Sequence, residues 1–145
     1  MPARRSTRSF TATKNEAYVD TSALIAFSDR SDSYHALFRR LFADPPPLVT
    51  TPLVIAEGHA WFLKRYDAAK GLHFLSMIES MPLKILSISL QEQRAATSFI
   101  RKYSDQDLTM TDATGLHLMS SRRIKNCWST DFHLGLTNVP LVIYS

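Results

Sequence analysis

Four carboxylates stand where ordinary surface chemistry does not ask for them. Asp20 follows the strand-like run AYV, Glu57 lies inside LVIAEGHAWF, Asp112 inside LTMTDATGL, and Asp131 ends NCWSTD. A buried group of like charges repels itself and loses hydration, so it persists when some members are protonated or a cation sits among them. Carboxylate oxygens are hard ligands, and an all-oxygen set with no histidine or cysteine at ligand spacing favours Mg²⁺ or Mn²⁺ over zinc. Such ions lower the pKa of a bound water, hold a phosphodiester and stabilise charge on the leaving oxygen. The chemistry expected is metal-assisted phosphodiester hydrolysis.

Taken singly, each acid has a plainer reading. Asp20 and Asp131 are both compatible with turn or capping roles, and Asp112 with a helix start favoured by the helix dipole. Glu57 fits such a role least well. Leu53 and Val54 precede it by four and three residues and Trp61 follows by four, so its carboxylate is expected on the inward face of its helix. The remaining acids, Asp29, Asp32, Asp67, Glu79 and Glu92 among them, fall at expected helix ends or on polar faces. A shared metal site accounts for all four exceptions at once.

The elements that must position these acids follow from periodicity. Short β-branched runs alternate with longer stretches of helical spacing, which indicates an α/β sheet with helices on its faces. Strands are expected at residues 17–20, LVTT, LKILSIS, NCWSTD and PLVIYS. Continuous rather than alternating apolar runs make these five strands a mainly parallel sheet buried on both faces. Helices are expected at TSALIAFSD and SYHALFRRLFA, the latter stopped by DPPP. Further helices are PLVIAEGHAWFLKRY after the N-cap Thr51, DAAKGLHFLSMIES, LQEQRAATSFIRKY opened by a Ser89–Glu92 capping box, and DATGLHLMSSRR after Thr111. In a parallel sheet the strand carboxyl ends and the following helix amino ends share one edge, where ligands bind. Asp20, Asp112 and Asp131 reach that edge directly, and Glu57 from the side.

Composition bounds the classes available. At 145 residues with 45% hydrophobic content the chain fits one domain with a substantial core. No apolar run approaches the roughly 18 residues of a membrane span, so a soluble cytoplasmic protein is expected. The lone Cys127 permits no internal disulfide and no cysteine-based zinc site. Net charge is +4, most of it in residues 1–16, where Arg4, Arg5, Arg8 and Lys14 stand against Glu16. This basic extension is expected to be disordered and either to assist binding to nucleic-acid phosphates or to an acidic partner, or to do nothing specific. The folded domain is expected over residues 17–145.

The ordered set of short motifs resembles the PIN-domain ribonucleases, and among them the VapC-type toxins of prokaryotic toxin–antitoxin pairs. YVDTSAL is similar to the first motif, with Asp20 as metal ligand and Thr21 or Ser22 as supporting hydroxyl. Glu57 in TPLVIAEGHAWF is similar to the second, Asp112 in DLTMTDA to the third, and Asp131 in STDFHLG to the fourth, with Thr130 and His133 beside it as supporting or substrate-contacting groups. The resemblance implies a PIN-like three-layer sandwich and a Mg²⁺- or Mn²⁺-dependent endoribonuclease. It also implies an RNA substrate such as tRNA or rRNA, a cognate antitoxin and a homodimer. Arg101, Lys102, Arg122, Arg123 and Lys125 are candidates for phosphate contact. Two alternatives remain open, a non-catalytic PIN-like binding module and an RNA-processing nuclease without an antitoxin. A phosphotransfer receiver is disfavoured, because no lysine follows the last strand and no acidic pair accompanies Asp20.

Overall fold

The computed structural model describes residues 15–144, so the basic extension lies outside the described residues except for Asn15 and Glu16. Strand β1 (Ala17–Val19) is buried along its whole length, as expected of an apolar run covered on both faces. Strands β2 (Leu48–Thr50) and β3 (Leu83–Ile85) extend the sheet on one side and β4 (Cys127–Trp128) on the other. The order is β3-β2-β1-β4, and every pairing is parallel.

Helices α1 (Thr21–Ser28) and α2 (His35–Ala43) connect β1 to β2, and α3 (Pro52–Arg65) and α4 (Ala68–Ser80) connect β2 to β3. Helices α5 (Leu90–Lys102) and α6 (Met110–Ser121) carry the chain back past β1 to β4. The first two crossings step one way across the sheet and the third steps back. Right-handed crossovers then set α1–α4 on one face and α5 and α6 on the other, a three-layer sandwich. Side chains follow this division. Trp128, register partner of Val19, packs its ring 4.9 Å from Phe42 of α2. Tyr18 points the other way and meets α6, where a Cβ on Gly115 would lie 2.9 Å from the ring.

Reversal of strand order between β1 and β4 opens a crevice at their carboxyl ends. Asp20 follows β1 and Asp131 lies three residues beyond β4, so the topology itself brings these acids together across the switch point.

Three local expectations are corrected. The sheet has four strands rather than five: after Pro140, which has no N–H to donate, Leu141 makes a single parallel bridge to Cys127. The chain then turns into a 3₁₀ segment, Val142–Tyr144. LKILSIS is a strand only to Ile85, because the ladder to β2 ends there and the next residues lead to the Ser89 cap. Helix α6 begins before Thr111, since Thr109 and Asp112 form a reciprocal capping box. Gly58 is a packing position: a Cβ there would lie 2.4 Å from Phe74 Cζ, so its absence lets α3 and α4 close.

Candidate active site

Asp20 is the N-cap of α1 and is 3% exposed. Its side chain does not cap the helix. Instead Oδ2 accepts hydrogen bonds from Ser22 Oγ at 3.1 Å and Ser129 Oγ at 2.9 Å. Burial pushes the Asp20 carboxyl up from 3.8 to about 6, with the Asp112 charge adding to the rise and the Ser129, Thr21 and Ser22 donors opposing it. Proximity to a second acid therefore reinforces what desolvation begins.

Asp112 is held by its own helix start. Its Oδ2 accepts the Thr109 amide at 3.1 Å while its amide donates to Thr109 Oγ1 at 3.1 Å. The cap engages one carboxylate oxygen and leaves the other for the cleft. Burial, with the Asp131 charge beside it, raises its carboxyl above the usual range, against the Thr109 donors and the neighbouring His133.

Asp131 is fixed by the turn it opens. Its Oδ1 accepts the His133 amide at 3.0 Å, and His133 Nδ1 lies 2.8 Å from the same oxygen. A carboxylate only accepts, so Nδ1 carries the proton in that contact. Ligand atoms of Asp112, Asp131 and His133 all lie within 4.8 Å of one another. The donors that converge are thus not all oxygen, as the sequence suggested; His133, two residues beyond Asp131, adds a nitrogen.

The cleft, of about 340 Å³, is lined by Asp20, Thr21, Ser22, Glu57, Asp112 and Asp131. Glu57 does not face the core. It is exposed and stands on the cleft rim, because Gly58 rather than Glu57 faces α4 at this turn. Thr130 contributes its amide, which donates to Ser22 Oγ at 2.9 Å. Thr21 Oγ1 is buried in the cleft wall with no hydrogen-bond partner among the described residues. A hydroxyl left unsatisfied beside three aspartates suits a site completed by an ion and its water.

Three residues with no role assigned from the sequence contribute to the site. Ser129 bridges the Asp20 carboxylate and the Asp131 amide. Trp61 and Lys64 line the cleft wall beyond Glu57, and Lys64 is its one basic residue. Their spacing carried the signal, since positions 57, 61 and 64 fall on one helical face.

A hard divalent ion fits this donor set. The arrangement offers carboxylates to hold it, a floor from which water is largely excluded around Asp20, and an open rim for an anionic substrate. Among the described residues, no helix is long and apolar enough to cross a membrane.

The family model described as PIN domain matches residues 17–134. The 23S rRNA-specific endonuclease VapC20 of Mycobacterium tuberculosis is 25% identical over 118 residues, covering 79% of this chain and 88% of that protein. The crystal structure of VapC20, described as a sarcin–ricin loop cleaving toxin, superposes with a TM-score of 0.78 at 19% identity, over 86% of this chain and 96% of the other. A chain of a toxin–antitoxin complex from Klebsiella pneumoniae gives a TM-score of 0.59 at 20% identity, over 87% and 95%.

Proposed function

The chain belongs to the PIN-domain family, and from that membership and the cleft described above we propose that it is a divalent-metal-dependent endoribonuclease, the toxin of a toxin–antitoxin pair. The observation that carries the reading is the convergence of Asp112 and Asp131, with His133 beside them, within 4.8 Å, where the two aspartates line the same cleft as Asp20. Asp20, Asp112 and Asp131 are the proposed ligands of Mg²⁺ or Mn²⁺, with Glu57 acting from the rim. When bound, the ion supplies Lewis-acid activation of water and stabilisation of charge on the leaving oxygen.

The protein groups have separate tasks in this reading. Ser22 and Ser129 hold Asp20 as a carboxylate by donating to it, and Thr109 fixes Asp112. His133 orients Asp131 and lies close enough to contact a substrate phosphate. Thr21 offers its unpaired hydroxyl to the solvent of the ion.

The substrate is proposed to be structured RNA, tRNA or rRNA, by likeness to relatives named for rRNA cleavage. An antitoxin is the proposed inhibitor, in keeping with the toxin–antitoxin complex among the structural neighbours. A homodimer and a cytoplasmic location complete the proposal. Incubating the purified chain with total RNA, with Mn²⁺ or with EDTA, tests it. Cleavage at discrete positions is expected only with metal, and Asp20→Asn and Asp112→Asn should abolish it while each variant still unfolds in one cooperative transition. Wild-type cleavage by either variant would remove these residues from the mechanism.

A further inference from the structure

Four acids against one lysine line the active-site cleft, so without a metal the affinity of a polyanion for this protein must come from outside it. The cations expected to provide it divide by their place in the fold. Arg122, Arg123 and Lys125 follow α6, whose first turn holds Asp112; a helix of this length puts them about 18 Å away, at the opposite sheet edge. Arg122 is also occupied there by Glu16. Arg101 and Lys102 end α5 and return toward the cleft edge, but both are exposed on the other side of the sheet from α3.

A better-placed basic surface lies at the carboxyl end of α1, where it meets α2, α4 and the end of α3. The amino end of α1 forms the cleft, and its carboxyl end, about 12 Å away, borders two adjoining cavities of about 380 and 550 Å³ that share Ser28, Arg30 and His73. Lys70 lines the first and Arg39 the second. Among the described residues no carboxylate lies within ion-pairing distance of Arg30, Arg39 or Lys70. Asp29 is the one acid lining either cavity, and its Oδ1 is engaged by Ser31 and by Tyr66 Oη.

The cleft and the first cavity share an aromatic wall. Trp61 lines the cleft, Tyr66 lines the cavity, and their ring centroids are 6.2 Å apart. The Arg65 guanidinium spans both rings, at 5.9 and 5.8 Å from their centroids. Unpaired cations beside aromatic faces are the composition of a surface that tracks a nucleic-acid strand, with charge for phosphates and rings for unstacked bases. An acidic peptide suits the cavities but would be repelled where it continued into the cleft. A phosphodiester strand suits both, because a metal in the cleft reverses the sign there.

We propose that the Arg30, Lys70 and Arg39 cavities bind the phosphates of the RNA strand flanking the scissile bond, with Trp61, Arg65 and Tyr66 as the stacking surface between them and the cleft. The inference rests on the ribonuclease reading for its substrate, but binding can be tested apart from cleavage.

The full chain, Arg30→Ala/Lys70→Ala and Asp20→Asn are each titrated by fluorescence anisotropy with a labelled unpaired RNA in EDTA over a salt series, and assayed for cleavage with Mn²⁺. The double variant should bind roughly ten-fold more weakly, and removing two single-strand phosphate contacts should lower its salt slope by about 1.4. Its KM should rise with kcat held. Asp20→Asn should bind like the parent without cleaving. A charge-preserving Arg30→Lys/Lys70→Arg variant should keep the parent's affinity, which separates charge from folding. Weakened RNA binding by the double variant, with no cleavage by any chain, would leave the binding surface standing and sink the ribonuclease reading. Unchanged affinity and KM in a folded double variant would overturn the surface. If the double variant lost poly-glutamate binding but kept RNA affinity, an acidic protein partner would replace RNA as the occupant.

Discussion

Ser129 Oγ donates to Asp20 Oδ2 at 2.9 Å and accepts the amide of Asp131 at 2.9 Å, so one hydroxyl couples the acids beyond β1 and β4. Ser22 Oγ, 3.1 Å from Ser129 Oγ, extends the link to the first turn of α1 and accepts the Thr130 amide. Neither aspartate could be placed to within a ligand's tolerance by strand ends alone. The two serines convert proximity at the switch point into a defined separation.

Ser129→Ala should therefore weaken metal binding without unfolding the domain. It removes a donor that opposes protonation of Asp20, so the Asp20 carboxyl should rise further and Mn²⁺ binding should lose more affinity at pH 6 than at pH 8. The hydrogen bonds to Asp20 and from the Asp131 amide both go, at about 1–3 kcal/mol together. Ser129→Thr should restore both. Calorimetric Mn²⁺ titration at the two pH values checks this, and an equal loss at both would show that Ser129 does not act through the Asp20 proton.

In the metal-free protein, Asp20 should be a source of instability above neutral pH. Its folded carboxyl titrates at about 6 against an ordinary 3.8, so the fold holds the proton more tightly than the unfolded chain does. That contribution is fully present below 3.8 and is lost as pH rises through about 6, an effect of about 3 kcal/mol. Asp20→Asn should accordingly be more stable than the parent at pH 8 in EDTA, with the advantage gone near pH 4. Mn²⁺ should reverse the order at pH 8 by stabilising only the parent. Urea melts across that range would contradict the argument if the difference did not change with pH.

How far the sequence reveals this site depends on the range of each interaction. The strand before Asp20 and the Ser89 cap are legible because they depend on neighbours a few residues away. The Thr109–Asp112 box is equally local, but Thr111 is a competing cap two residues later in the same stretch. Ser129 was silent because its task exists only once β4 lies beside β1, 109 residues from its partner. Glu57 misled for a related reason: helical spacing told which residues share its face but not that Gly58, against Phe74, turns that face to the rim. PLVIYS has the composition of a strand, yet Pro140 removes a donor and one bridge is all that forms.

Gly58→Ala should destabilise the α3–α4 hairpin. The added methyl would stand 2.4 Å from Phe74 Cζ, a distance that the fully packed ring cannot relieve without moving the helices. Overpacking of this kind costs about 1–3 kcal/mol. Gly58→Ala/Phe74→Leu should recover part of the loss, so that the two changes are non-additive in chemical denaturation. Additive effects would mean that Gly58 is needed for something other than room for Phe74.

Arg122→Ala should cost stability and leave RNA binding alone. Arg122 makes a forked pair with Glu16, through Nε and Nη2 to Oε1 and Nη2 to Oε2, at 3.1–3.3 Å. The Glu16 side chain is 6% exposed and that of Arg122 is 32%, so removing the guanidinium strands a largely buried carboxylate just before β1. Because Arg122 is partly solvated, the loss should be roughly 1–3 kcal/mol, below that of a fully buried pair. The pair sits at the sheet edge opposite the cleft, so affinity for RNA and its salt dependence should stay at parent values. A double Glu16→Gln/Arg122→Ala variant should be less destabilised than Arg122→Ala alone, since the stranded charge is then gone. A fall in RNA affinity for Arg122→Ala at unchanged stability would reverse this assignment and move the phosphate-binding surface to the far edge of the sheet.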